Sequence, residues 1–192
     1  MSDHRHEDVA ASPFGGLVLL GGPPGSGKST VADLLASTAQ RPTVHMHTDT
    51  FYRWIRSGYV PPYLPEAELQ NETVQHVMLD AACAYAGRYD VILDGILGPW
   101  MLEPFRTTCR RRGLGLSYVV LRPSLDVALA RATRREGRHL KDIEPLTGLY
   151  GAFEDLGALE SHVVDSSAQS AAETAAEITA GLRAGRFAAG AS

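Results

Sequence analysis

The chain alternates short apolar runs with longer stretches in which apolar residues recur every three or four positions. Short apolar runs are typical of buried strands, and the longer periodic stretches are typical of helices that cover a sheet. Strands are predicted at residues 17–20, 43–46, 89–93, 116–121 and 161–164. Helices are predicted at residues 29–39, 66–86, 103–112 and 124–135, in a stretch that ends near residue 156, and at 170–183. This alternation predicts an α/β fold with a five-stranded parallel sheet and helices on both of its faces.

Length and charge restrict the domain count and the kinds of partner. The 192 residues suit one domain, predicted at 15–184, with flexible tails at 1–14 and 185–192. The 18 basic and 22 acidic residues give a net charge of −4, which disfavours nucleic acid or an anionic membrane as a partner. Because no apolar stretch approaches the length of a membrane span and no apolar leader core is present, a cytoplasmic protein is expected. Cys83 and Cys109 stand in predicted helices outside any metal-binding pattern and are expected to be reduced core thiols.

The segment between the first strand and the first helix carries the most specific motif. It reads GGPPGSGKST, and residues 22–30 fit the pattern G-x-x-x-x-G-K-[ST]. The backbone N–H groups of such a loop surround phosphates, and the helix N-terminus adds a favourable dipole. An ordinary glycine-proline turn is the alternative, and the flanking strand and helix disfavour it. The predicted ATP-binding residues are Gly22, Pro23, Pro24, Gly25, Ser26, Gly27, Lys28, Ser29 and Thr30. Lys28 is expected to reach the β- and γ-phosphates, and the Ser29 hydroxyl is expected to ligate Mg²⁺.

Polar residues that follow the strands are the next candidates, because the carboxyl ends of parallel strands meet at one edge of the sheet. Asp49 follows the second strand, where its carboxylate could accept a hydroxyl proton or hold Mg²⁺ through water. It is also expected to cap the helix that follows. Asp94 ends the third strand, from where an acid orients the Mg²⁺ shell. His45 and His47 share one face of the second strand and are interpreted as polar lining or core, since no carboxylate or cysteine stands nearby at metal-ligand spacing.

A basic segment follows the fourth strand. Arg134, Arg135 and Arg138 are predicted to clamp the transferring phosphoryl group, and a lid is predicted at about residues 136–145. The alternative is a solvated basic helix face without a catalytic role. Spacing alone does not identify the arginine that points inward.

Aromatic and basic residues after the second and third strands predict the acceptor side of the site. Aromatic rings suit a bulky, partly apolar or sugar-like alcohol, whereas arginines leave an acidic substrate open. The predicted substrate residues are Tyr52, Arg53, Arg56, Tyr63 and Trp100. For Trp100, a place in the core is an equal alternative.

The chain resembles the small P-loop kinase superfamily, which includes shikimate kinases, gluconate kinases and chloramphenicol phosphotransferases. The resemblance extends over about residues 17–182. It rests on the GGPPGSGKST loop, Asp49, Asp94, the basic segment and the sequence VVDSS at residues 163–167.

This resemblance implies a three-layer P-loop nucleoside-triphosphate fold with strand order 2-3-1-4-5, and ATP and Mg²⁺ as cofactors. It implies that Asp49 is the general base for the acceptor hydroxyl. It also implies that the loop after the last strand holds the adenine, which indicates Asp165, Ser166 and Ser167.

The expected function is ATP-dependent transfer of the γ-phosphate to a hydroxyl of a small molecule, such as an antibiotic or a sugar-like alcohol, by a monomer or homodimer. A nucleotide or nucleoside kinase is one alternative. Against a monophosphate acceptor, the D-G-x-P-R turn of nucleotide kinases is replaced after Asp94 by GILGPW, which lacks the arginine. A regulatory switch that hydrolyses ATP slowly and a toxin-like kinase of nucleotide sugars are further alternatives.

Overall fold

The central sheet has five parallel strands, as the sequence predicted. The computed structural model describes residues 16–134 and 143–190. The strands are β1 (Gly16–Gly21), β2 (Thr43–His47), β3 (Asp90–Asp94), β4 (Gly115–Leu121) and β5 (Val163–Val164). They pair in the order β2-β3-β1-β4-β5, and each pairing is parallel. The predicted order 2-3-1-4-5 is therefore confirmed.

The helices connect the strands and cover the sheet. They are α1 (Lys28–Ser37), α2 (Thr48–Arg53), α3 (Glu68–Ala86), α4 (Leu102–Arg112), α5 (Leu125–Thr133), α6 (Ile143–Gly151) and α7 (Ala171–Arg183). Short 3₁₀ turns occupy Pro65–Ala67, Pro99–Met101 and Gly157–His162. None of the helices in the described parts of the chain combines the length and apolar character that a membrane span requires.

Two buried clusters hold the helices against the sheet. Successive side chains of a strand point to opposite faces, so β1 contributes to both clusters. Leu17 and Leu19 pack with apolar residues of α3 and α4. Val18 and Leu20 pack with apolar residues of α1 and α7. Both cysteines are free thiols buried in the first cluster. The predicted three layers, helices on each side of one sheet, are confirmed.

The last strand is shorter than the predicted 161–164, because the residues before Val163 form a 3₁₀ turn. Glu160 in this turn accepts two hydrogen bonds from Arg122, at 2.9 and 2.7 Å, and one from the backbone N–H of Leu156 at 2.9 Å. These contacts favour a turn over an extended strand. They also anchor the turn to Arg122, which directly follows β4.

The prediction of a flexible tail from residue 185 is wrong for residues 185–190. The Phe187 side chain is fully buried in the cluster beneath α7. Its carbonyl accepts a hydrogen bond from the N–H of Tyr118 at 2.9 Å, and the N–H of Ala189 donates to Leu116 at 2.8 Å. A single aromatic residue among alanines and glycines gives no periodic signal. It nevertheless docks the segment beside the part of β4 that β5 does not pair with.

The register of β2 and β3 arranges the edge of the sheet where the phosphate loop lies. His47 pairs with Asp94, and His45 pairs with Ile92. Paired residues of parallel strands point to the same face, so both histidines and Asp94 face the α1 side, where Ile92 packs. Three polar side chains thus meet beside the start of α1.

Candidate active site

The loop between β1 and α1 depends on three glycines with positive φ angles. Gly22 and Gly25 have φ angles of 137° and 78°, and a Cβ at these positions would collide with the carbonyl oxygens of Leu121 and Ala128. Gly27 precedes α1 with a φ angle of 93°, and a Cβ there would meet nothing within 4 Å. The loop is therefore packed closely on one side and open at Gly27. An open cradle at a helix N-terminus is the arrangement in which backbone N–H groups bind phosphates.

Lys28 lies over this loop, and its side chain is buried. Its Nζ donates to the carbonyl oxygen of Pro23 at 2.8 Å and approaches the hydroxyl of Ser26 at 3.3 Å. The ammonium group is thus held above the loop backbone. That this charge reaches a phosphate in the cradle stays a prediction of the sequence motif.

Ser29 and Asp94 connect the first turn of α1 to the end of β3. The Ser29 hydroxyl donates to Oδ2 of Asp94 at 2.6 Å. Asp94 is almost fully buried, and burial alone would raise its pKa. Hydrogen bonds from His45 and Ser29, together with the charge of His47, outweigh burial and hold the pKa of Asp94 below its usual value. A carboxylate and a hydroxyl that meet in this way offer the oxygen ligands that Mg²⁺ prefers.

The two histidines of β2 contact the same carboxylate. His45 Nε2 and His47 Nδ1 each lie 2.9 Å from Oδ1 of Asp94. The interpretation of these residues as polar lining or core rested on the absence of a carboxylate nearby in the sequence. In the fold, the strand pairing brings Asp94 to them from 47 positions beyond His47. Sequence spacing could show only that the histidines share a face.

Asp49 lies exposed in the first turn of α2, beside two phenol groups. The helix begins one residue before it, with His47 at the N-cap position, so the prediction that Asp49 caps this helix is wrong. Burial, Tyr59 and Asp49 raise the pKa of Tyr52. Burial, Asp49 and Tyr63 raise the pKa of Tyr59. The structure thus gathers Asp49 and three tyrosines beyond the carboxyl end of β2.

The proline-rich segment that carries Tyr59 and Tyr63 is fastened to α3. Gln70 exchanges two hydrogen bonds with the backbone of Val60, at 2.9 and 2.7 Å. Asn71 donates to the carbonyl oxygen of Pro62 at 2.8 Å and accepts from the Tyr52 hydroxyl at 3.2 Å. These contacts, which we name the α3 clasp, hold the segment beside Asp49. These contacts could not be predicted from the sequence, because both amides stand within an ordinary helical pattern.

The other predicted acceptor residues, Arg53, Arg56 and Trp100, do not all lie beside Asp49 and the tyrosines. Arg53 and Arg56 are exposed, at the end of α2 and just beyond it. On a helix of 3.6 residues per turn, Tyr52 and Arg53 flank the face of Asp49. The Trp100 ring packs on Phe153 with ring centroids 5.7 Å apart, and over half of its surface is exposed.

An apolar groove of about 440 Å³ lies between α2 and α3. The aromatic residues that α2 contributes to it are Phe51 and Trp54. Both lie about 150° around the helix axis from Asp49, at 100° per residue. The groove therefore opens away from Asp49 and is separate from the tyrosine group.

A second cavity, of about 330 Å³, lies between the phosphate loop and the loop after β5. Ser166 is buried in its wall, donates to the carbonyl oxygen of Ser26 at 3.2 Å, and accepts a hydrogen bond from Arg131 at 3.0 Å. Asp165 and Ser167 form the turn beside it, where the hydroxyl and N–H of Ser167 lower the pKa of Asp165. Arg131, on α5 just before the basic segment, was not predicted from the sequence to belong to this site. The lining residues are Gly25, Ser26, Gly27, Thr30, Val31, Arg131, Ser166, Gln169, Ala171 and Thr174.

The predicted lid falls largely outside the described residues. Arg134 is exposed and follows the last residue of α5. Arg135 and Arg138 lie outside the described residues, as does most of the predicted lid at 136–145.

Fold and loop together define a class of protein. A parallel sheet of order 2-3-1-4-5 with a phosphate loop between β1 and α1 is a P-loop fold. The chain belongs to the AAA domain family, whose model matches residues 17–147. No curated protein matches the sequence.

Solved structures with the same fold include those of two kinases and one resistance protein. A gluconokinase from Sinorhizobium meliloti 1021 has a TM-score of 0.65 and 23% identity, over 88% of this chain and 92% of that one. The tunicamycin resistance protein of Deinococcus radiodurans has a TM-score of 0.64 and 18% identity, over 86% and 94%. A sugar kinase from Janibacter sp. HTCC2649 has a TM-score of 0.58 and 20% identity, over 85% and 92%. At these identities the likeness shows the fold alone, and this is the fold that the resemblance seen in the sequence implied.

Proposed function

We propose that the protein is an ATP-dependent phosphotransferase that moves the γ-phosphate to a hydroxyl group of a small molecule. The observation that carries the proposal is the arrangement at the carboxyl edge of the sheet. The Ser29–Asp94 hydrogen bond joins the phosphate loop to β3, and the next strand outward leads directly to Asp49. A phosphate site beside a carboxylate that faces solvent suits transfer to an external hydroxyl.

The residues present fit ATP and Mg²⁺. The open cradle at Gly27 and the ammonium group of Lys28 would hold the β- and γ-phosphates. Ser29 and Asp94 would hold Mg²⁺, which would neutralise charge on the phosphates when bound. The cavity between the loop and Ser166 is suited to the adenine, and Asp165 and Ser167 form the turn next to its wall.

Asp49 is the residue best placed to act on the acceptor. In the transfer step the acceptor oxygen bonds to the γ-phosphorus, the bond to the bridging oxygen breaks, and ADP leaves. The carboxylate of Asp49 would orient the acceptor hydroxyl and take its proton. One or more of Arg134, Arg135 and Arg138 would stabilise the charge on the transferring group.

The acceptor side favours a sugar-like or partly apolar alcohol. Tyr52 and Tyr59 lie near Asp49, Tyr63 lies near Tyr59, and phenol side chains offer both ring faces and hydroxyl groups. Arg53 lies on the same side of α2, and Arg56 follows closely. Trp100 stands after β3 with an exposed ring that could contact a large acceptor. The gluconokinase, the sugar kinase and the tunicamycin resistance protein that share the fold guide the choice of compounds to test.

Acceptor-stimulated ADP release tests this function. Purified protein is supplied with Mg·ATP and a panel of sugars, sugar acids, antibiotics, nucleosides and nucleoside monophosphates, and mass spectrometry identifies any phosphorylated product. We expect turnover with one sugar-like alcohol and its loss in Lys28→Ala, while Arg110→Ala, an exposed cation on α4, retains it. Slow ATP hydrolysis that no acceptor stimulates would favour the regulatory switch. Turnover confined to nucleosides or monophosphates would indicate a nucleoside or nucleotide kinase.

A further inference from the structure

The cluster of His45, His47 and Asp94 has the composition of a metal site that differs from the Ser29–Asp94 oxygen pair. We propose that these three side chains bind a divalent first-row transition-metal ion beside the phosphate loop. The inference concerns binding alone and does not depend on phosphoryl transfer or on the identity of an acceptor.

The backbone places the three donors on one face of the sheet. His47 pairs directly with Asp94 across β2 and β3, and His45 precedes it by two residues, so all three side chains point toward α1. One donor atom from each residue lies within 4.8 Å of the other two. Rigid strands hold them, and the buried Asp94 and largely buried His45 have little freedom to turn away.

The distances are close to those that coordination needs. Both imidazole nitrogens lie 2.9 Å from Oδ1 of Asp94. Metal bonds of about 2.0–2.1 Å from nitrogen and oxygen imply donor separations of roughly 3–3.4 Å around one ion. A shift of a few tenths of an ångström would open the cluster to that spacing. His47 is half exposed, so an ion could enter from solvent at that side.

The donor set selects the class of metal. Mg²⁺ prefers an all-oxygen shell, whereas imidazole nitrogens with one carboxylate suit Mn²⁺, Co²⁺, Ni²⁺ or Zn²⁺. Each nitrogen that now contacts Asp94 would offer its lone pair, with the ring proton on the other nitrogen or released to solvent. A divalent ion with two neutral imidazoles and one carboxylate leaves a net charge of about +1, which would attract a neighbouring phosphate.

The arrangement also argues against a purely orienting role for both histidines. Oδ2 of Asp94 is already fixed by Ser29, and one hydrogen bond to Oδ1 would complete the orientation of the carboxylate. Instead two rings converge on the same oxygen, with ring centroids 4.1 Å apart. Convergence of two nitrogens and one oxygen on a small volume is what chelation requires.

Cobalt titration of the untagged 192-residue chain tests the site. Every protein carries His4→Asn and His6→Asn, so that the N-terminal histidines do not contribute. After removal of metal with a chelator, Co²⁺ is added without nucleotide, and visible absorption reports nitrogen and oxygen ligation. We expect one equivalent to bind, with affinity at least ~10-fold weaker in His45→Asn and in His47→Asn, because even outer-shell changes weaken metal sites by about that factor.

Two further variants and a measurement of folding complete the test. His76→Asn removes an exposed histidine of α3 and should bind Co²⁺ like the parent protein. Ser29→Ala removes an outer-shell contact to the other carboxylate oxygen, so it should lower the Co²⁺ affinity but keep the nitrogen-ligand features of the spectrum. Thermal unfolding confirms that each variant is folded. Absence of stoichiometric binding in the folded parent, or equal affinity in His76→Asn and His47→Asn, would overturn the proposal and leave the histidines as positioning residues for Asp94.

Discussion

The hydroxyl of Ser29 donates a 2.6 Å hydrogen bond to Oδ2 of Asp94. This contact joins the helix after the phosphate loop to the strand beside it, and it fixes two candidate Mg²⁺ ligands at contact distance. We expect Ser29→Ala to raise the Mg²⁺ concentration needed for half-maximal ATP turnover by about 10-fold, because one oxygen ligand is lost. Turnover measured over a Mg²⁺ series checks this. Ser37→Ala, on the same helix but bonded only within it, is the matched control. An unchanged Mg²⁺ requirement in Ser29→Ala would remove the hydroxyl from the metal shell.

Asp49 should affect transfer far more than ATP binding. Because Asp49 lies exposed on α2 and does not stand at the N-cap position, Asp49→Asn should leave the fold intact. We expect the rate of acceptor phosphorylation to fall by about 10²–10⁴, the usual contribution of a general base. ATP affinity, measured by displacement of a fluorescent nucleotide, should stay within about twofold. A transfer rate close to that of the parent protein would show that Asp49 is not the base.

Phe187 should be a large contributor to stability. Its fully buried ring packs against Gly181, where a Cβ would collide with it. We expect Phe187→Ala to lower the free energy of unfolding by about 3–5 kcal/mol through the cavity it creates. Urea denaturation followed by circular dichroism measures this. Leu69→Ala, at an exposed position of α3, should change it by less than about 0.5 kcal/mol. Equal effects of the two substitutions would show that the C-terminal segment does not pack on the sheet.

The Arg122–Glu160 pair should give the protein an acid-sensitive contact. The Arg122 guanidinium, with help from the N–H of Leu156, lowers the pKa of Glu160 from 4.5 to about 2. A carboxyl whose pKa is lower in the folded state stabilises the fold above its unfolded pKa and loses that effect as the pH falls through the folded value. The contribution should therefore disappear between about pH 4.5 and pH 2.

Thermal unfolding at a series of pH values measures this effect. Glu160→Gln should lower the melting temperature at pH 7 and should flatten its decline in acid. Glu66→Gln, an exposed acid in the Pro65–Ala67 turn, serves as control. Parallel acid profiles for the parent protein and Glu160→Gln would contradict the predicted linkage.

The sheet and the phosphate loop could be predicted because their signals are local. Apolar runs marked each strand to within a few residues, and the motif stands between a strand and a helix as its chemistry requires. The strand order came from resemblance to a known fold. By contrast, the contact of His45 and His47 with Asp94 depends on the pairing of two strands distant in sequence. Nothing local to the histidines indicates that partner.

Other errors have equally specific causes. Asp49 was expected to cap α2, but the chain turns into the helix two residues earlier, at His47. The clasp formed by Gln70 and Asn71 was missed because amides on a helix surface are ordinary. The docked segment around Phe187 was missed because one buried ring makes no pattern. In each case tertiary contact, rather than local preference, decides the structure.

The two parts of the candidate site are held by different elements of the fold. The tyrosine-bearing segment is held by α3, and the phosphate loop is held by the sheet. Gln70 and Asn71 tie the tyrosine-bearing segment to a helix, whereas the phosphate loop is tied to the sheet through Ser29 and Asp94. Residues 58–65 can therefore vary in evolution, or in the laboratory, without disturbing the strands that hold the nucleotide site. If the protein phosphorylates an alcohol as proposed, a library limited to that segment is a direct route to variants with a different acceptor, and the two amides are the residues that such a library should leave unchanged.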